Sequence, residues 1–252
     1  MEGTGGSRVA PQFLMAKVEQ LTFPGADALA QAVAAEWLRE LAGARAPYCV
    51  ALSGGRIARR FLSAVAVQAK HRRSVFDSVR FFWSDERCVP PDDPESNFRL
   101  AQESLLGPLA IRESQIHRLR GELPPKTAAA QAGADLRSIL PTGPGGQPVL
   151  DLVFLGLGED GHVASLFPGE SEEASSSPAI FRDVVGTKPP PHRLTMGYAT
   201  LAAAHQVWVL VSGSGKAGAL RNSLLERGQT PLARVLRMRS MTRLFVEASA
   251  TT

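Results

Sequence analysis

The amino-acid sequence predicts an α/β fold, a doubly wound and mostly parallel sheet with helices on both faces. Short apolar runs recur along the chain, and each ends in glycine or a polar residue. The runs are continuously apolar rather than alternating, which is typical of strands covered on both faces. Stretches with helical spacing of apolar residues lie between them. Strands that alternate with helices indicate parallel strands joined by helical crossovers.

Five apolar runs are the predicted strands. They are "YCVALSGG" at 48–55, "SVRFFWSDE" at 78–86, "LDLVFLGLG" at 150–158, "LTMGYATL" at 194–201 and "QVWVLVSGSG" at 206–215.

Three stretches are predicted helices, at 26–44, 126–140 and 216–226. The first is rich in alanine, a strong helix former, and Gly43 lies near its end. The proline-rich segment 177–193 is predicted to be a stiff, extended connection across the surface.

The domain organisation is predicted to be simple. We expect residues 1–19 to form a disordered or extended tail and residues 20–252 to form a single α/β catalytic domain. The length of 252 residues suits one large domain of this class.

Composition limits the classes of partner. The formal net charge is only +4 and the basic residues are scattered, which favours a solvated basic surface over a nucleic-acid interface. The positive balance also suits a small anionic substrate. No apolar stretch approaches the roughly 20 residues that span a bilayer. We therefore expect neither a nucleic-acid nor a membrane partner, and a monomer or weak homodimer.

The cysteine content points to a reducing compartment. The chain has two cysteines, Cys49 and Cys88, too few for a disulfide framework and without the spacing of a zinc site. The first residues lack the apolar core of a signal peptide. We therefore expect a cytoplasmic protein without a bound metal.

Polar residues follow four of the predicted strands. Ligands of doubly wound sheets bind outside the carboxyl ends of the strands. This rule predicts that four distant segments converge on one edge, namely Ser53–Arg56, Ser84–Arg87, Glu159–His162 and Ser212–Lys216.

Two of these segments have features of an anion site. After Ser53, the residues Gly54 and Gly55 allow a tight turn, and a helix is predicted to begin near Arg56. Backbone N–H groups at a helix start favour an anion, although such a turn needs no ligand and is not a Walker loop. Lys216 follows "SGSG" at a second helix start, where a lysine is unfavourable unless an anion neutralises it or solvent surrounds it.

The segment "WSDERCVP" at 83–90 leaves two interpretations open. The two acids, Asp85 and Glu86, and Arg87 form a structural ion pair, or Arg87 contacts an anionic or hydroxylated substrate while the acids hold it.

The segment "FLGLGEDGHVASLFPG" at 154–169 contains the candidate base. A short helix is predicted over "DGHVASLF", with Asp160 as its cap and His162 in its first turn. There the helix dipole disfavours imidazolium while the carboxylate favours it, which suits a neutral histidine that accepts a proton. Asp160 would fix the tautomer. The alternative is a histidine that only caps its own helix. One histidine with two acids lacks the ligand spacing of a zinc site.

These motifs together resemble a known family. "GLGEDGHVASLFPG" is similar to the signature of 6-phosphogluconolactonases within the glucosamine-6-phosphate isomerase-like family. The accompanying motifs appear in the expected order: "SGG" at 53–55, "WSDERCVP" at 83–90, "DPESNFRL" at 93–100, "KPPPHRLTM" at 188–196 and "SGSGKA" at 212–217.

The resemblance implies a function and site residues. It implies hydrolysis of 6-phospho-D-glucono-1,5-lactone to 6-phosphogluconate, without a cofactor or metal. It suggests His162 as the catalytic base, with Arg87, Arg193 and Lys216 near the sugar phosphate and Lys188 as a further candidate. One departure stands out, because family members often continue "SGG" with a small hydroxyl residue and this chain has Arg56.

Two alternatives remain at this point. An aminosugar-phosphate deaminase or isomerase on the same fold would use Asp85 as the base for a C2 proton. Those enzymes tend to have "GHIAFNEP" where this chain has "GHVASLFP". A non-catalytic sugar-phosphate sensor would usually carry a DNA-binding domain, and no helix-turn-helix segment is evident.

Overall fold

The computed structural model describes residues 17–251. The predicted tail falls largely on residues 1–16, which lie outside the described residues. Strand β1 begins at Lys17, so the last three residues that we assigned to the tail belong to the sheet.

Nine strands are present within the described residues. In chain order they are β1 (Lys17–Phe23), β2 (Tyr48–Leu52), β3 (Val79–Trp83), β4 (Asp85–Arg87), β5 (Leu152–Gly156), β6 (Phe181–Val185), β7 (His192–Met196), β8 (Gln206–Val211) and β9 (Met241–Glu247).

Eight α-helices accompany them in residues 17–251. They are α1 (Ala26–Gly43), α2 (Arg56–Ala69), α3 (Asn97–Ala101), α4 (Pro125–Ile139), α5 (Glu172–Ser175), α6 (Tyr198–Ala203), α7 (Ala217–Leu224) and α8 (Pro231–Arg237). None of these described helices has the length and apolar character that a membrane crossing requires.

The main sheet has six strands in the order β1-β9-β8-β5-β2-β3, and its strand pairs are parallel. From β2 the chain crosses to β3 on one side, whereas from β5 it crosses to β8 on the other. The neighbouring strands β2 and β5 therefore form the point at which the winding reverses, where a crevice opens outside the strand ends.

Every residue of β2 is buried, as are nearly all of β5 and β8. Successive residues of a strand point to opposite faces, so these strands are covered on both sides. The predicted doubly wound fold is confirmed.

An aromatic cluster joins α1 and α2 to the middle of this sheet. The ring of Phe154 on β5 lies 5.1 Å from Trp37 of α1, 4.6 Å from Phe61 of α2 and 5.7 Å from Trp208 of β8, centroid to centroid. Burial of each such side chain contributes about 1.5–3 kcal/mol. The cluster fixes α2, and with it the turn that leads from β2 into that helix.

The second sheet was not foreseen. It is antiparallel, in the order β4-β7-β6. Two predictions are therefore wrong. The run at 194–201 is not a strand of the main sheet, because it divides at Gly197 into the end of β7 and the start of α6. The segment 177–193 is a β-hairpin rather than an extended connection, since β6 and β7 pair through it.

The remaining elements agree with the sequence in part. The strands predicted at 48–55, 78–86, 150–158 and 206–215 are confirmed in β2, β3, β5 and β8, and the three helices in α1, α4 and α7. Both β1 and β9 escaped prediction. The exposure of β1 alternates without a buried residue, as expected of an edge strand.

A buried carboxylate holds the short helix α3 against β4. Oε1 of Glu86 accepts the backbone N–H groups of Arg87 and Asn97, both at 2.7 Å. Its Oε2 accepts the N–H of Phe98 at 2.8 Å and the hydroxyl of Ser96 at 3.0 Å. Both oxygens are thus hydrogen-bonded, which a buried charge requires. The arrangement fixes Asn97 at the carboxyl edge of the main sheet.

The side chain of Asn97 lies directly over the turn after β2. Its Nδ2 donates to the carbonyl of Asp85 at 2.9 Å and to the carboxylate of Asp85 at 3.3 Å. Its Oδ1 lies so close to Gly54 that a Cβ at position 54 would be 1.8 Å from it. Only glycine fits at position 54 while Asn97 keeps this place.

Gly54→Ala should therefore destabilise the protein by about 1–3 kcal/mol through overpacking. The same change should cost much less in an Asn97→Ala background, where the clashing oxygen is gone. Urea unfolding of the four proteins of this double-mutant cycle measures the difference. Gly25→Ala is the control, since a Cβ there meets nothing within 4 Å. An equal cost of Gly54→Ala in both backgrounds would contradict the steric explanation.

Candidate active site

A pocket of about 270 Å³ opens where β2 and β5 end. Nine of the eleven predicted site residues line it: Ser53, Gly54 and Gly55 of the β2 turn, Arg56 at the start of α2, Asp85 and Arg87 of β4, His162 of the loop after β5, Arg193 of β7, and Lys216 after β8. The predicted convergence on one edge is confirmed. Asp160 and Lys188 lie beside the pocket rather than in its lining.

The turn after β2 exposes backbone donors to the pocket. Gly55 has φ 105°, a left-handed conformation that favours glycine, and α2 starts at Arg56 without a side-chain cap or an acidic residue in its first turn. The first N–H groups of a helix have no partner within the helix, and the helix dipole adds positive potential. This end of α2 suits an anion.

The hydroxyl of Ser53 is engaged inside the protein. It donates to the carbonyl of Phe154 at 2.7 Å and lies 2.5 Å from the hydroxyl of Ser84. Ser53 therefore ties the end of β2 to β5, and its contribution to the pocket comes from its backbone.

The loop after β5 is not helical, so the prediction of a short helix there is wrong. Val163 pairs with Leu166 in an isolated bridge, and Gly161 and Ala164 have φ angles of 87° and 49°. The turn is too tight for larger residues, since a Cβ on Gly158 would lie 2.0 Å from Nδ1 of His162. Consequently His162 lies in no helix of its own, and Asp160 caps no helix.

Asp160 instead holds His162 through two contacts. Oδ1 of Asp160 lies 2.6 Å from Nδ1 of the imidazole and accepts the backbone N–H of His162 at 3.2 Å. Burial acts to raise the pKa of Asp160, but the contacts with His162 outweigh it and the pKa is lowered. An ionised Asp160 accepts a hydrogen bond from Nδ1–H, which fixes the tautomer and leaves Nε2 of this pocket-lining histidine able to accept a proton.

Arg193 carries a buried charge without a bonded carboxylate among the described residues. Its guanidinium donates to the carbonyls of Pro190 at 3.1 Å and Lys188 at 3.3 Å. The register of β4 and β7 places Arg87 opposite it. Burial lowers the pKa of Arg193, and the neighbouring Arg87 lowers it further. A bound anion would relieve both effects.

Lys216 is similarly enclosed, with 16% of its side chain exposed and the nearest carboxylate oxygen, on Glu159, 4.0 Å from Nζ. Burial lowers its pKa, Glu159 opposes this, and Arg56 and Lys188 add to the lowering. The exposed Lys188 thus contributes positive potential from outside the lining.

Asp85 and Arg87 do not pair with each other. The carboxylate of Asp85 is buried and accepts hydrogen bonds from Ser165 at 2.8 Å and Asn97 at 3.3 Å. Arg87 donates to the carbonyl of Glu95 and lies 3.6 Å from its carboxylate. Within residues 17–251, Arg87 forms no ion pair with Asp85 or Glu86, and its neighbouring carboxylate is that of Glu95.

Sequence reasoning missed Asn97, which lines the pocket. Its motif "DPESNFRL" was visible, but its place depends on the contacts of Glu86 with α3. No cluster of three His, Cys, Asp or Glu side chains suited to a metal ion occurs in residues 17–251.

Comparisons with known proteins agree with this geometry. The model of the family described as glucosamine-6-phosphate isomerases/6-phosphogluconolactonase matches residues 24–245. A human protein named 6-phosphogluconolactonase is 37% identical over 215 residues, which cover 83% of this chain and 81% of the human one. A Treponema pallidum protein of the same name is 38% identical over 169 residues, 66% of this chain and 68% of that one.

The solved structure of 6-phosphogluconolactonase from Trypanosoma brucei superposes with a TM-score of 0.83 at 27% identity. The superposition covers 93% of this chain and 97% of that one. The match of the family model over most of the chain, together with these relatives, shows that the chain belongs to the glucosamine-6-phosphate isomerase/6-phosphogluconolactonase family.

Proposed function

We propose that this chain is a 6-phosphogluconolactonase, which hydrolyses 6-phospho-D-glucono-1,5-lactone to 6-phospho-D-gluconate in the oxidative pentose phosphate pathway. One observation carries the proposal. A histidine oriented by a carboxylate shares a pocket with two enclosed cations, Arg193 and Lys216. This arrangement suits a phosphorylated ester, and the relatives named above carry this activity in their names.

The reaction needs one proton acceptor that can also return the proton. Nε2 of His162 takes a proton from water, whose oxygen attacks the lactone carbonyl carbon and forms a tetrahedral oxyanion. Collapse of this intermediate breaks the bond between that carbon and the ring oxygen. The imidazolium then gives its proton to the departing ring oxygen, and His162 is neutral again. Such general acid–base help typically contributes about 10²–10⁴-fold.

The phosphate binds the basic side of the pocket in this proposal. Arg193 and Lys216 supply charge-assisted hydrogen bonds, and the N–H groups at the start of α2 complete the anion site. Arg56 supplies a further cation at the position where family members often have a small hydroxyl residue.

The deaminase or isomerase alternative is not favoured. It needs Asp85 as a base, whereas the Asp85 carboxylate is buried and already accepts hydrogen bonds from Ser165 and Asn97. The absence of a cofactor and of a nucleic-acid partner, the monomeric or weakly dimeric state and the cytoplasmic location remain predictions.

The deciding assay follows the loss of freshly generated 6-phosphogluconolactone against its spontaneous hydrolysis. Acceleration by the purified chain supports the proposal. Ammonia release from glucosamine 6-phosphate, without acceleration of lactone loss, would favour the alternative enzyme instead.

The phosphate site is tested by Arg193→Ala and Lys216→Ala. A charge-assisted hydrogen bond contributes about 1.5–3 kcal/mol, so each change should raise KM about tenfold or more with a smaller effect on kcat. The control is Lys70→Ala, at the far end of α2. Unchanged KM in both variants would remove these cations from the phosphate site.

The base is tested by His162→Ala. We expect kcat to fall by about 10²-fold or more and KM to change little, because the phosphate contacts remain. Asp160→Asn should reduce kcat less than loss of the imidazole. The exposed His71→Ala serves as the control. A folded His162→Ala protein with wild-type kcat would show that the base lies elsewhere.

Arg56 is tested by replacement with the small hydroxyl residue. Arg56 is exposed and makes no hydrogen bond or ion pair with the described residues, while it lines the pocket. Arg56→Ser should keep kcat and raise KM less than Arg193→Ala does, because the N–H groups of the turn remain. Arg59→Ser, which removes a cation paired with Glu103 at 3.1 Å, is the matched control. If both serine variants gave the same KM, Arg56 would have no special contact with phosphate.

A further inference from the structure

We propose that Phe167 is a positioning residue whose single ring holds both the base His162 and the phosphate-binding Arg193. The roles of these two partners rest on the function proposed above. The contacts of the ring do not, and they can be tested separately.

The ring of Phe167 contacts both functional side chains. Its centroid lies 5.1 Å from that of the His162 imidazole at an interplanar angle of 51°. It also lies 5.7 Å from Cζ of Arg193, in a cation–π arrangement. Edge and tilted ring contacts and cation–π contacts are both favourable at such distances. One side chain therefore connects the loop after β5 with strand β7 of the second sheet.

The other restraints on the two partners are local. Asp160 holds His162 from two residues away, within the same turn. The guanidinium of Arg193 otherwise donates to Pro190 and Lys188, in the same hairpin. These bonds fix each side chain within its own segment. The Phe167 ring contacts both side chains across the two segments, which are also joined by the hydrogen bond from the N–H of Ser165 to the hydroxyl of Thr195 at 3.2 Å. The ring therefore contributes to the distance from base to phosphate cation.

The hairpin backbone at Gly186 packs against the Phe167 ring. A Cβ on Gly186 would lie 3.0 Å from Cζ of Phe167 and 3.2 Å from Nε of Arg193. The hairpin backbone thus packs closely on both the ring and the guanidinium, and glycine at 186 allows this approach. Movement of the ring is restricted toward the hairpin.

Phe167 also lines a second cavity, apart from the catalytic pocket. His162 and Arg193 line the catalytic pocket, whereas Phe167 lines a neighbouring surface cavity of about 320 Å³ together with Tyr198 and Arg234. The ring thus contacts two side chains of the catalytic pocket and also lines the second cavity. Its removal would admit water behind the imidazole and the guanidinium, and both would lose a packed face.

Three substitutions test the proposal. Phe167→Ala removes the ring, Phe167→Leu keeps much of the volume without the π face, and Phe167→Tyr keeps the ring. The control is Phe23→Ala, which removes a partly buried ring stacked on Phe245 at the sheet edge. Thermal unfolding of each variant establishes that it is folded at the assay temperature.

The kinetic readout is the division between kcat and KM. Loss of both ring contacts in Phe167→Ala should lower kcat and raise KM, each by about five- to tenfold. Phe167→Leu should raise KM because the cation loses its π face. Phe167→Tyr should stay within about twofold of wild type, as should Phe23→Ala. A merely structural ring would lower the unfolding temperature without changing either constant.

The spectroscopic readout does not depend on turnover. The ring current of Phe167 shifts the imidazole carbon-bound proton resonances of His162, which are identified by their absence in His162→Ala. These resonances should move in Phe167→Ala and Phe167→Leu but little in Phe167→Tyr. Titration with 6-phosphogluconate should show weaker binding to Phe167→Ala.

The outcomes are separable. Unmoved His162 resonances, or kcat and KM within about twofold of wild type in folded Phe167→Ala and Phe167→Leu, would overturn the proposal. If wild-type protein failed to hydrolyse the lactone, the proposed function would fall. The histidine resonances and the binding of 6-phosphogluconate would still decide the role of the ring.

Discussion

The site depends on one topological constraint, the reversal of winding between the neighbouring parallel strands β2 and β5. Because the crossovers leave these strands in opposite directions, no connection covers the space between their carboxyl ends. The loop that holds His162 and the glycine turn that begins α2 face each other across that space. Ser53 fixes their separation by donating a hydrogen bond from the end of β2 to the carbonyl of Phe154 on β5. A proton acceptor and an anion site are thus adjacent without any specialised scaffold.

The second sheet adds what the main sheet cannot supply. The chain leaves the main sheet at Ser84, and the strand that follows, β4, pairs with β7 in the second sheet. Their register places Arg87 opposite Arg193. Glu86, between the pocket-facing residues Asp85 and Arg87, points away from the pocket and anchors α3 and its N-cap through three hydrogen bonds. In this short strand Asp85 and Arg87 therefore line the pocket, while Glu86 between them holds α3 in place. The Phe167 ring then joins this sheet to the loop of His162.

The sequence predicted the parts of this site that depend on local pattern. Buried parallel strands are continuously apolar, so β2, β3, β5 and β8 were found. The segments at their ends identified eight of the residues that line the pocket, and the family resemblance added Arg193. The sequence could not predict the hairpin of β6 and β7, because prolines before His192 resemble a surface connection. The non-helical loop of His162 was missed because "DGHVASLF" has a helical composition and its conformation follows from close contacts of Gly158 and Gly161. The place of Asn97 depends on tertiary hydrogen bonds to Glu86, which leave no periodic trace.

Repulsion among the cations of the pocket makes the empty pocket less stable. Arg193 faces Arg87 across a strand pair, Lys216 lies near Arg56 and Lys188, and burial lowers the pKa of both Arg193 and Lys216. Carboxylates compensate these charges only partly, since Glu159 lies 4.0 Å from Lys216 and, within residues 17–251, the guanidinium of Arg193 donates only to carbonyls. Such an arrangement is unfavourable for an empty pocket and favourable once a dianionic phosphate enters. A purely structural site would pair these like charges or expose them to solvent. Here they remain together at the edge of the sheet where the topology leaves room for a ligand. Other contacts offset the unfavourable free energy of these like charges. They are the packing of the aromatic cluster around Phe154 and the contacts of Arg193 with carbonyls and with the Phe167 ring.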